Sequence, residues 1–186
     1  MLSEPRRTLE EVLEAAQRLG TLGRMPIPDV ISHARQFVTA IASVTGRVID
    51  IGTGAGVPGL VIAVDRPDLV LTLADRREAR MDELARGVVA MGLADRVAVV
   101  TIDIAELALD PDHRGGYDAV VCRGFGSPEV TATLARPLLK NGGRLVVSEP
   151  PLFDPSRWPE DLLQRTHFGA PEYLQGVVVL TATPEK

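Results

Sequence analysis

A glycine-rich segment at residues 50–59 (DIGTGAGVPG) holds the residue types best suited to bind a charged small ligand. It follows a short apolar run, so it is predicted to turn from a strand into a helix. Gly54, Gly56 and Gly59 have the G-x-G-x-x-G spacing, in which the missing side chains let the backbone approach a nucleotide. Asp75 follows 21 residues after Gly54, where such a loop pairs with an acid that accepts hydrogen bonds from ribose hydroxyls. Taken alone, this pattern indicates NAD.

Two further residues distinguish this loop from one that binds a dinucleotide. Gly52 adds an earlier glycine, and Asp50 places a carboxylate at the end of the strand. The resulting order, apolar-Asp-apolar-Gly-x-Gly-x-Gly, resembles the first motif of class I methyltransferases that use S-adenosylmethionine (SAM). Glycines there let the backbone approach the methionine part of SAM, and the following helix N-terminus favours its carboxylate. The acid either holds loop amides or faces the ammonium group of the ligand.

Acids at the ends of the next two predicted strands are further candidates for cofactor binding. Asp75 ends the second strand, and it either accepts hydrogen bonds from the ribose or caps the following helix. Asp103 and Glu106 follow the third strand, in the turn that lies against the adenine in class I methyltransferases. Each of them is alternatively a helix cap. Arg76 opens the second crossover helix, where it would meet a phosphate or the solvent.

A narrower resemblance rests on residues 50–59, residues 75–80 (DRREAR) and residues 117–125 (YDAVVCRGF). Together they resemble the bacterial family of small-subunit ribosomal RNA guanine-N7 methyltransferases, also called glucose-inhibited division protein B. The similarity covers about residues 30–148. The resemblance implies that the substrate is 16S rRNA, as free RNA or within a ribosomal particle. It implies SAM contacts at Gly52, Val57, Ala105, Glu106 and Arg123.

Arg123 is the most specific of these candidates, because a guanidinium at a strand end beside the cleft can bind a carboxylate or a phosphate. The alternative is an ion pair with Glu149 or Asp118. The complete set of predicted cofactor-binding residues is Asp50, Gly52, Thr53, Gly54, Gly56, Val57, Asp75, Arg76, Asp103, Ala105, Glu106 and Arg123.

The implied reaction needs no general base, because guanine N7 carries an unprotonated lone pair. Catalysis would come from positioning and from stabilising the charge that moves from the sulfonium to the purine. We therefore assign no catalytic residue and expect no metal. Cys122 ends the fourth predicted strand, where a nucleophile would suggest cytosine-C5 methylation, but a buried apolar cysteine is favoured.

Two segments depart from the family pattern in the regions that would meet RNA. Gln36 stands where the family carries an aspartate after His33, and residues 148–151 (SEPP) replace a basic residue after the fifth strand. These departures leave open a methyltransferase that acts on a small molecule or a protein, and a SAM-binding protein without transferase activity. A positive cluster at the cleft mouth would favour RNA, whereas a closed apolar pocket would favour a small substrate.

The elements that must position these residues follow from the apolar pattern. Short, continuously apolar runs that alternate with helices predict a doubly wound, mostly parallel α/β sheet of the Rossmann-like methyltransferase type. Strands are predicted at residues 47–51, 69–74, 97–101, 118–122 and 144–148, with helices near 57–65, 76–91, 104–109 and 128–140. A last apolar run near residues 175–183 is predicted to pair on the sheet edge. Residues 1–46 are predicted to form a helical cap, and residues 47–186 the methyltransferase domain.

Composition limits the classes of protein that fit this chain. The formal net charge of −5 and the 4% of aromatic residues argue against charge-driven nucleic-acid binding and against a base-stacking platform. A single cysteine excludes a disulfide framework. No apolar run reaches 18 residues and the N-terminus is charged, so we expect a cytoplasmic protein that is not bound to a membrane.

Overall fold

The computed structural model describes residues 6–152 and 154–184. Within this part of the chain, seven strands form one sheet: β1 (Arg47–Ile51), β2 (Val70–Asp75), β3 (Val97–Thr101), β4 (Tyr117–Cys122), β5 (Leu139–Ser148), β6 (Glu172–Leu174) and β7 (Val177–Thr181). Their order across the sheet is β3-β2-β1-β4-β5-β7-β6. Strands β1 to β5 are parallel, and β7 is antiparallel to both of its neighbours.

Helices precede and connect the strands. They are α1 (Leu9–Arg18), α2 (Ile27–Ala40), α3 (Gly59–Asp65), α4 (Glu78–Ala90), α5 (Ile104–Leu107), α6 (Pro128–Ala135) and α7 (Glu160–Arg165), with short 3-10 helices at Arg136–Leu138 and Pro155–Arg157. A capping box begins α1: the Thr8 hydroxyl accepts from the Glu11 N–H, and the Glu11 carboxylate accepts from the Thr8 N–H. These reciprocal bonds satisfy backbone donors that a helix start leaves unpaired.

Helices cover the sheet on both faces, as the apolar strands require. Along β1, Val48 packs into the core that contains α1 to α4, whereas Ile49 and Ile51 pack into a second core with α5, α6 and α7. This alternation follows from the two-residue repeat of a strand. A strand buried on both faces has no polar side, which explains the continuous apolar run in its sequence. The predicted doubly wound fold is therefore confirmed.

The last strand, β7, pairs with β5 at the edge of the parallel strands, as predicted, but the unpredicted strand β6 pairs on its outer side. Gly176, with φ of +73°, turns β6 back onto β7. The helix predicted at residues 128–140 ends at Ala135, since Pro137 has no N–H to continue it. The chain then enters β5 at Leu139, five residues before the predicted start.

The N-terminal helices share a core with the sheet. Leu13 of α1 and Phe37 of α2 are fully buried, and both belong to the cluster that contains β1 and β2 side chains. The α2 helix also contacts β5 directly, because the Arg144 guanidinium donates to the carbonyl oxygen of Ala40. The division of the chain at residue 46 stays a prediction.

Truncation of Phe37 tests how tightly α2 is coupled to the sheet. We expect Phe37→Ala to lower the free energy of unfolding by about 3–5 kcal/mol, because it removes a buried ring and leaves a cavity. Ser32→Ala, at an exposed position of the same helix, should change it by less than about 0.5 kcal/mol. Urea unfolding followed by circular dichroism measures both. A loss below about 1 kcal/mol for Phe37→Ala would contradict a shared core.

Candidate functional site

The loop between β1 and α3 is held to the end of β2 by its own backbone. The N–H groups of Gly52 and Thr53 both donate to the carbonyl oxygen of Ala74, at 2.8 and 3.1 Å. Gly52, Gly54 and Gly56 have φ of +67°, +59° and +89°, which side chains rarely allow. The three glycines therefore permit a path that other residues would strain.

Asp50 lies beneath this loop and joins its two ends. The carboxylate is fully buried, and its Oδ2 accepts hydrogen bonds from the Thr53 hydroxyl at 2.8 Å and from the Gly59 N–H at 2.9 Å. A Cβ at position 59 would lie 2.9 Å from this oxygen and would overlap the side chain of Leu73, so the helix start requires glycine. The other oxygen, Oδ1, is buried and has no hydrogen-bond partner among the described residues.

Burial raises the pKa of Asp50 to about 7, although its hydrogen bonds to Thr53 and Gly59 and the nearby charge of Arg123 favour the ionised form. Desolvation is thus the dominant cause. A carboxyl group with such a pKa gains a proton readily unless a cation approaches it. The site is therefore suited to a ligand that brings a positive charge close to Oδ1.

Asp75 ends β2 at the other side of the loop. Its Oδ2 accepts from the Gly54 N–H at 3.1 Å and from Nη2 of Arg77 at 2.7 Å. Its Oδ1 accepts from the N–H and from Nε of Arg77, at 3.1 and 2.9 Å. Burial alone would raise the pKa of Asp75, but these hydrogen bonds outweigh it and lower the pKa below its ordinary value. Asp75 is therefore a carboxylate at neutral pH.

A cavity of about 430 Å³ opens beside Asp75, and we call it the β2-side cavity. Four of the predicted site residues line it, namely Gly52, Asp75, Arg76 and Asp103. The other lining residues are Arg77, Ile102, Ile104, Gly124, Phe125, Val130 and Leu134. The Phe125 ring closes the cavity over the loop, since a Cβ at position 52 would lie 2.6 Å from its Cδ2. Charged side chains of both signs thus share the wall of this cavity with apolar ones.

The remaining predicted residues near this cavity divide into buried and exposed groups. The loop residues Thr53, Gly56 and Val57 are buried, so this part of the loop faces the protein core. Asp103 caps α5 by accepting from the Ala105 N–H at 2.9 Å, while its Oδ2 lies 4.0 Å from Nη1 of Arg76. Ala105 and Glu106 are exposed and do not line the cavity. Their role as cofactor contacts stays a prediction.

A larger cavity of about 820 Å³, the β5-side cavity, lies at the carboxyl ends of β4 and β5. The α2 helix, the α1–α2 connection, the end of β5 and the β6–β7 hairpin form its walls. Most of its lining is apolar, with the polar side chains Arg123, His33, Gln36, Ser148, Glu149, Tyr173 and Gln175. Arg123 lines this cavity and the next residue, Gly124, lines the β2-side cavity. Consecutive residues at the end of β4 therefore line the two cavities, and we call this place the junction.

Arg123 carries an uncommitted charge at this junction. Within residues 6–152 and 154–184 its guanidinium makes no hydrogen bond and no ion pair. The ion pair with Asp118 or Glu149 that the sequence left open is not formed, because Asp118 pairs with Lys140 and Glu149 with Arg157. Burial lowers the pKa of Arg123, and the charge of Asp50 partly offsets this effect. Burial, followed by the Arg123 charge, also lowers the pKa of His33. His33 is therefore neutral at pH 7.

Cys122, in contrast, is suited only to packing. It is fully buried, and burial and the nearby Asp50 raise the pKa of its thiol. Within the described ranges, no three His, Cys, Asp or Glu side chains are grouped to hold a metal ion. No helix of those ranges is long and apolar enough to cross a lipid bilayer.

Sequence reasoning did not identify several residues that shape the site. Phe125 was part of a recognised motif, but nothing in the motif indicated that its ring covers Gly52. The Arg77 guanidinium pairs with Asp75, although the sequence analysis included Arg77 only as part of the motif at residues 75–80. Gln36 was noted as a departure from a family pattern, and its buried Oε1 has no partner among the described residues. Such features depend on rotamers and on segments that are distant along the chain.

The strand order, the antiparallel β7 and the glycine loop after β1 define the fold of class I methyltransferases. A SAM-dependent O-methyltransferase from Thermotoga maritima has a TM-score of 0.61 at 17% identity, with 94% of this chain and 72% of that chain covered. An O-methyltransferase family protein from Burkholderia thailandensis has a TM-score of 0.61 at 14% identity, with coverage of 84% and 58%. At such identities the likeness shows the fold.

The chain belongs to the family described as rRNA small subunit methyltransferase G (GidB), whose sequence model matches residues 10–149. The resemblance found in the sequence is thus confirmed. Ribosomal RNA small subunit methyltransferase G of Deinococcus radiodurans is 35% identical over 126 residues, and that of Synechococcus sp. WH7803 is 38% identical over 104 residues. These matches cover 63% and 54% of this chain. The chain spans about half the length of the first relative and less of the second, at 49% and 40%.

The raised pKa of Asp50 predicts a pH-dependent loss of stability. The pKa of Asp50 in the folded state, about 7, lies above its value in the unfolded chain, about 3.9. The folded state therefore binds a proton more tightly, and the free energy of unfolding falls as pH rises from about 4 to about 7. We therefore expect the difference in unfolding free energy between Asp50→Asn and wild type to shift by about 2–4 kcal/mol in favour of the variant when the pH is raised from about 4 to about 8.

Urea unfolding at both pH values measures this difference. Asp95→Asn, which replaces an exposed carboxylate, is the matched control and should follow the wild-type profile. Parallel profiles for Asp50→Asn and wild type would show that Asp50 is ionised throughout and would contradict the desolvation argument.

Proposed function

We propose that this chain transfers a methyl group from SAM to N7 of a guanine in 16S rRNA. The observation that carries this proposal is the family match over residues 10–149, which includes the glycine loop and the junction between the two cavities. The relatives that share this segment are described as ribosomal RNA small subunit methyltransferases. The partner is accordingly rRNA, as free RNA or within a ribosomal particle.

The β2-side cavity and the loop fit SAM. The Asp75 carboxylate suits the ribose hydroxyls, and the apolar lining by Ile102, Ile104 and Phe125 suits the adenine ring. The unpartnered Oδ1 of Asp50 suits a ligand ammonium group, which would lower the pKa of this carboxyl. Gly52 has no side chain, which lets the Phe125 ring pack directly against the loop at the wall of this cavity. Bound SAM supplies a methyl group activated by its sulfonium.

The β5-side cavity is the acceptor site in this proposal, because the consecutive residues Arg123 and Gly124 line it and the β2-side cavity, respectively. Its apolar walls suit a nucleobase that has left its stack, which enzymes acting on bases require. The Arg123 guanidinium has free donors for O6 of guanine or for a neighbouring phosphate. The carbonyl oxygen of the Gln36 side chain has no hydrogen-bond partner within residues 6–152 and 154–184, so it is an acceptor for an amino or imino group of the base.

These residues act by orientation, since no proton has to be removed from guanine N7. The neutral His33 adds no second positive charge beside Arg123, where a purine gains positive charge during the transfer. The Phe125 ring and the apolar walls exclude water from the junction. Excluding water strengthens the electrostatic interactions that hold the reactants in line. The buried Cys122 takes no part, because burial keeps its thiol protonated.

A second candidate function is methylation of a small molecule. The observation that favours it is the mostly apolar lining of the β5-side cavity, where Arg123 is the single arginine or lysine among the lining residues that the structure describes. Large phosphate-binding surfaces carry more basic side chains. An assay with rRNA separates the two candidates, because only the first predicts label in RNA.

Removal of the Asp75 carboxylate tests the cofactor site. We expect wild type to bind SAM but not NAD, and Asp75→Ala to bind SAM at least about tenfold more weakly, since lost hydrogen bonds to a charged group cost about 1.5–3 kcal/mol. Calorimetric titration with each nucleotide measures the affinities. Asp95→Ala is the control for loss of one exposed carboxylate. Binding of NAD in place of SAM would overturn the proposal.

Replacement of Arg123 tests the acceptor site. We expect Arg123→Gln to lower the rate of methyl transfer to 16S rRNA by about 10- to 100-fold, because it removes a charged hydrogen-bond donor at the junction. The measurement is transfer of tritiated methyl groups from SAM to rRNA and to small ribosomal subunits, with nuclease digestion to identify 7-methylguanosine.

Arg86→Gln, at an exposed position of α4, is the matched control and should keep the wild-type rate. Calorimetry with SAM shows whether the loss lies in cofactor affinity, as the resemblance to the family implies, or in use of the acceptor. An unchanged rate in Arg123→Gln would contradict the role of this residue.

A further inference from the structure

The Asp75 carboxylate is already saturated by protein donors. Each of its two oxygens accepts two hydrogen bonds, and three of the four come from Arg77. Two of those three come from the guanidinium, which binds both oxygens through Nε and Nη2 at 2.9 and 2.7 Å. An ionised carboxylate offers about four acceptor positions. No acceptor position is therefore left for a ligand while Arg77 is in this place.

A ribose that binds Asp75 needs two of these positions. The N–H groups of Gly54 and Arg77 are parts of the loop and the helix start, so they stay in place when a ligand enters. The Arg77 guanidinium, in contrast, belongs to a side chain that is 48% exposed. Among the described residues it has no hydrogen-bond or ion-pair partner besides Asp75. It is thus the one donor group that can leave without breaking the backbone.

We propose that Arg77 competes with the ribose hydroxyls of the cofactor for the Asp75 carboxylate and thereby sets the affinity for SAM. This inference rests on the proposed function, which places SAM in the β2-side cavity. In the free protein, Arg77 neutralises a carboxylate that is only 3% exposed and would otherwise lack a cation. When the ribose binds, the guanidinium moves into solvent, and the cost of breaking the pair is subtracted from the binding free energy.

The opposite role for Arg77 is to hold Asp75 in the orientation that the ribose requires. The two roles predict opposite signs. A competitor weakens binding, so its removal increases affinity, whereas a positioning residue increases affinity and its removal weakens binding. If Arg77 had no effect on the ligand, its removal would leave the affinity unchanged.

The experiment is calorimetric titration with S-adenosylhomocysteine, whose amino-acid part is zwitterionic, so loss of one arginine charge has little long-range effect on its binding. We expect Arg77→Ala to bind it about three- to tenfold more tightly than wild type, the range expected when a partly exposed ion pair no longer has to be broken. Arg77→Lys, which keeps the charge but cannot form the paired bonds, should be intermediate. Arg86→Ala on the same helix is the matched control and should bind as wild type does.

The same titration with a 2′,3′-dideoxy form of S-adenosylhomocysteine isolates the ribose contact. Without hydroxyls there is no competition for Asp75, so wild type and Arg77→Ala should bind this ligand with equal affinity. Weaker or unchanged binding of the full ligand by Arg77→Ala, or an equal gain for both ligands, would overturn the inference while leaving the proposed function intact. Absence of binding in wild type and in every variant would overturn the proposed function and this inference together.

Discussion

The buried carboxylate of Asp50 is the interaction on which the site depends. One of its oxygens joins Thr53, at the start of the glycine loop, to Gly59, where α3 begins. The loop between them therefore covers a carboxyl group whose ionisation is disfavoured by burial, which raises its pKa. Hydrogen bonds compensate one oxygen only. The arrangement has a cost in the free protein that a cationic group of a ligand can relieve.

The geometry of the sheet explains why the two cavities adjoin. Parallel strands all end at the same edge of the sheet. Strands β2 and β3 lie on one side of β1, and β4 and β5 lie on its other side, so the strand order reverses between β1 and β4. The segments that follow β1, β2 and β3 line the β2-side cavity, the segment that follows β5 lines the β5-side cavity, and the segment that follows β4 contributes to both. Arg123 and Gly124 lie between them, so that consecutive residues face different cavities. A donor and an acceptor molecule can thus meet at the end of one strand.

The sequence predicted the parts of the molecule that have a local signature. Strands β1 to β4 are continuous apolar runs, and the glycine loop has a spacing that few structures other than a strand-to-helix turn require. The short β6 has no such run, since two of its three residues are exposed, and so its position at the edge was not predicted. The pairing of Arg77 with Asp75 depends on a side-chain rotamer, which no spacing indicates. The β5-side cavity assembles segments more than 100 residues apart, such as those of Gln36 and Gly176.

The two cavities also differ in how the chain supplies their walls. The β2-side cavity is built from residues between Gly52 and Leu134, in the central part of the sequence. Apart from Arg123, the β5-side cavity is built from residues 22–36 and 148–177, which flank that part on both sides. Substitutions in the flanking segments can therefore reshape the β5-side cavity while the β2-side cavity stays intact. The fold is in this sense modular, and the two cavities can diverge independently.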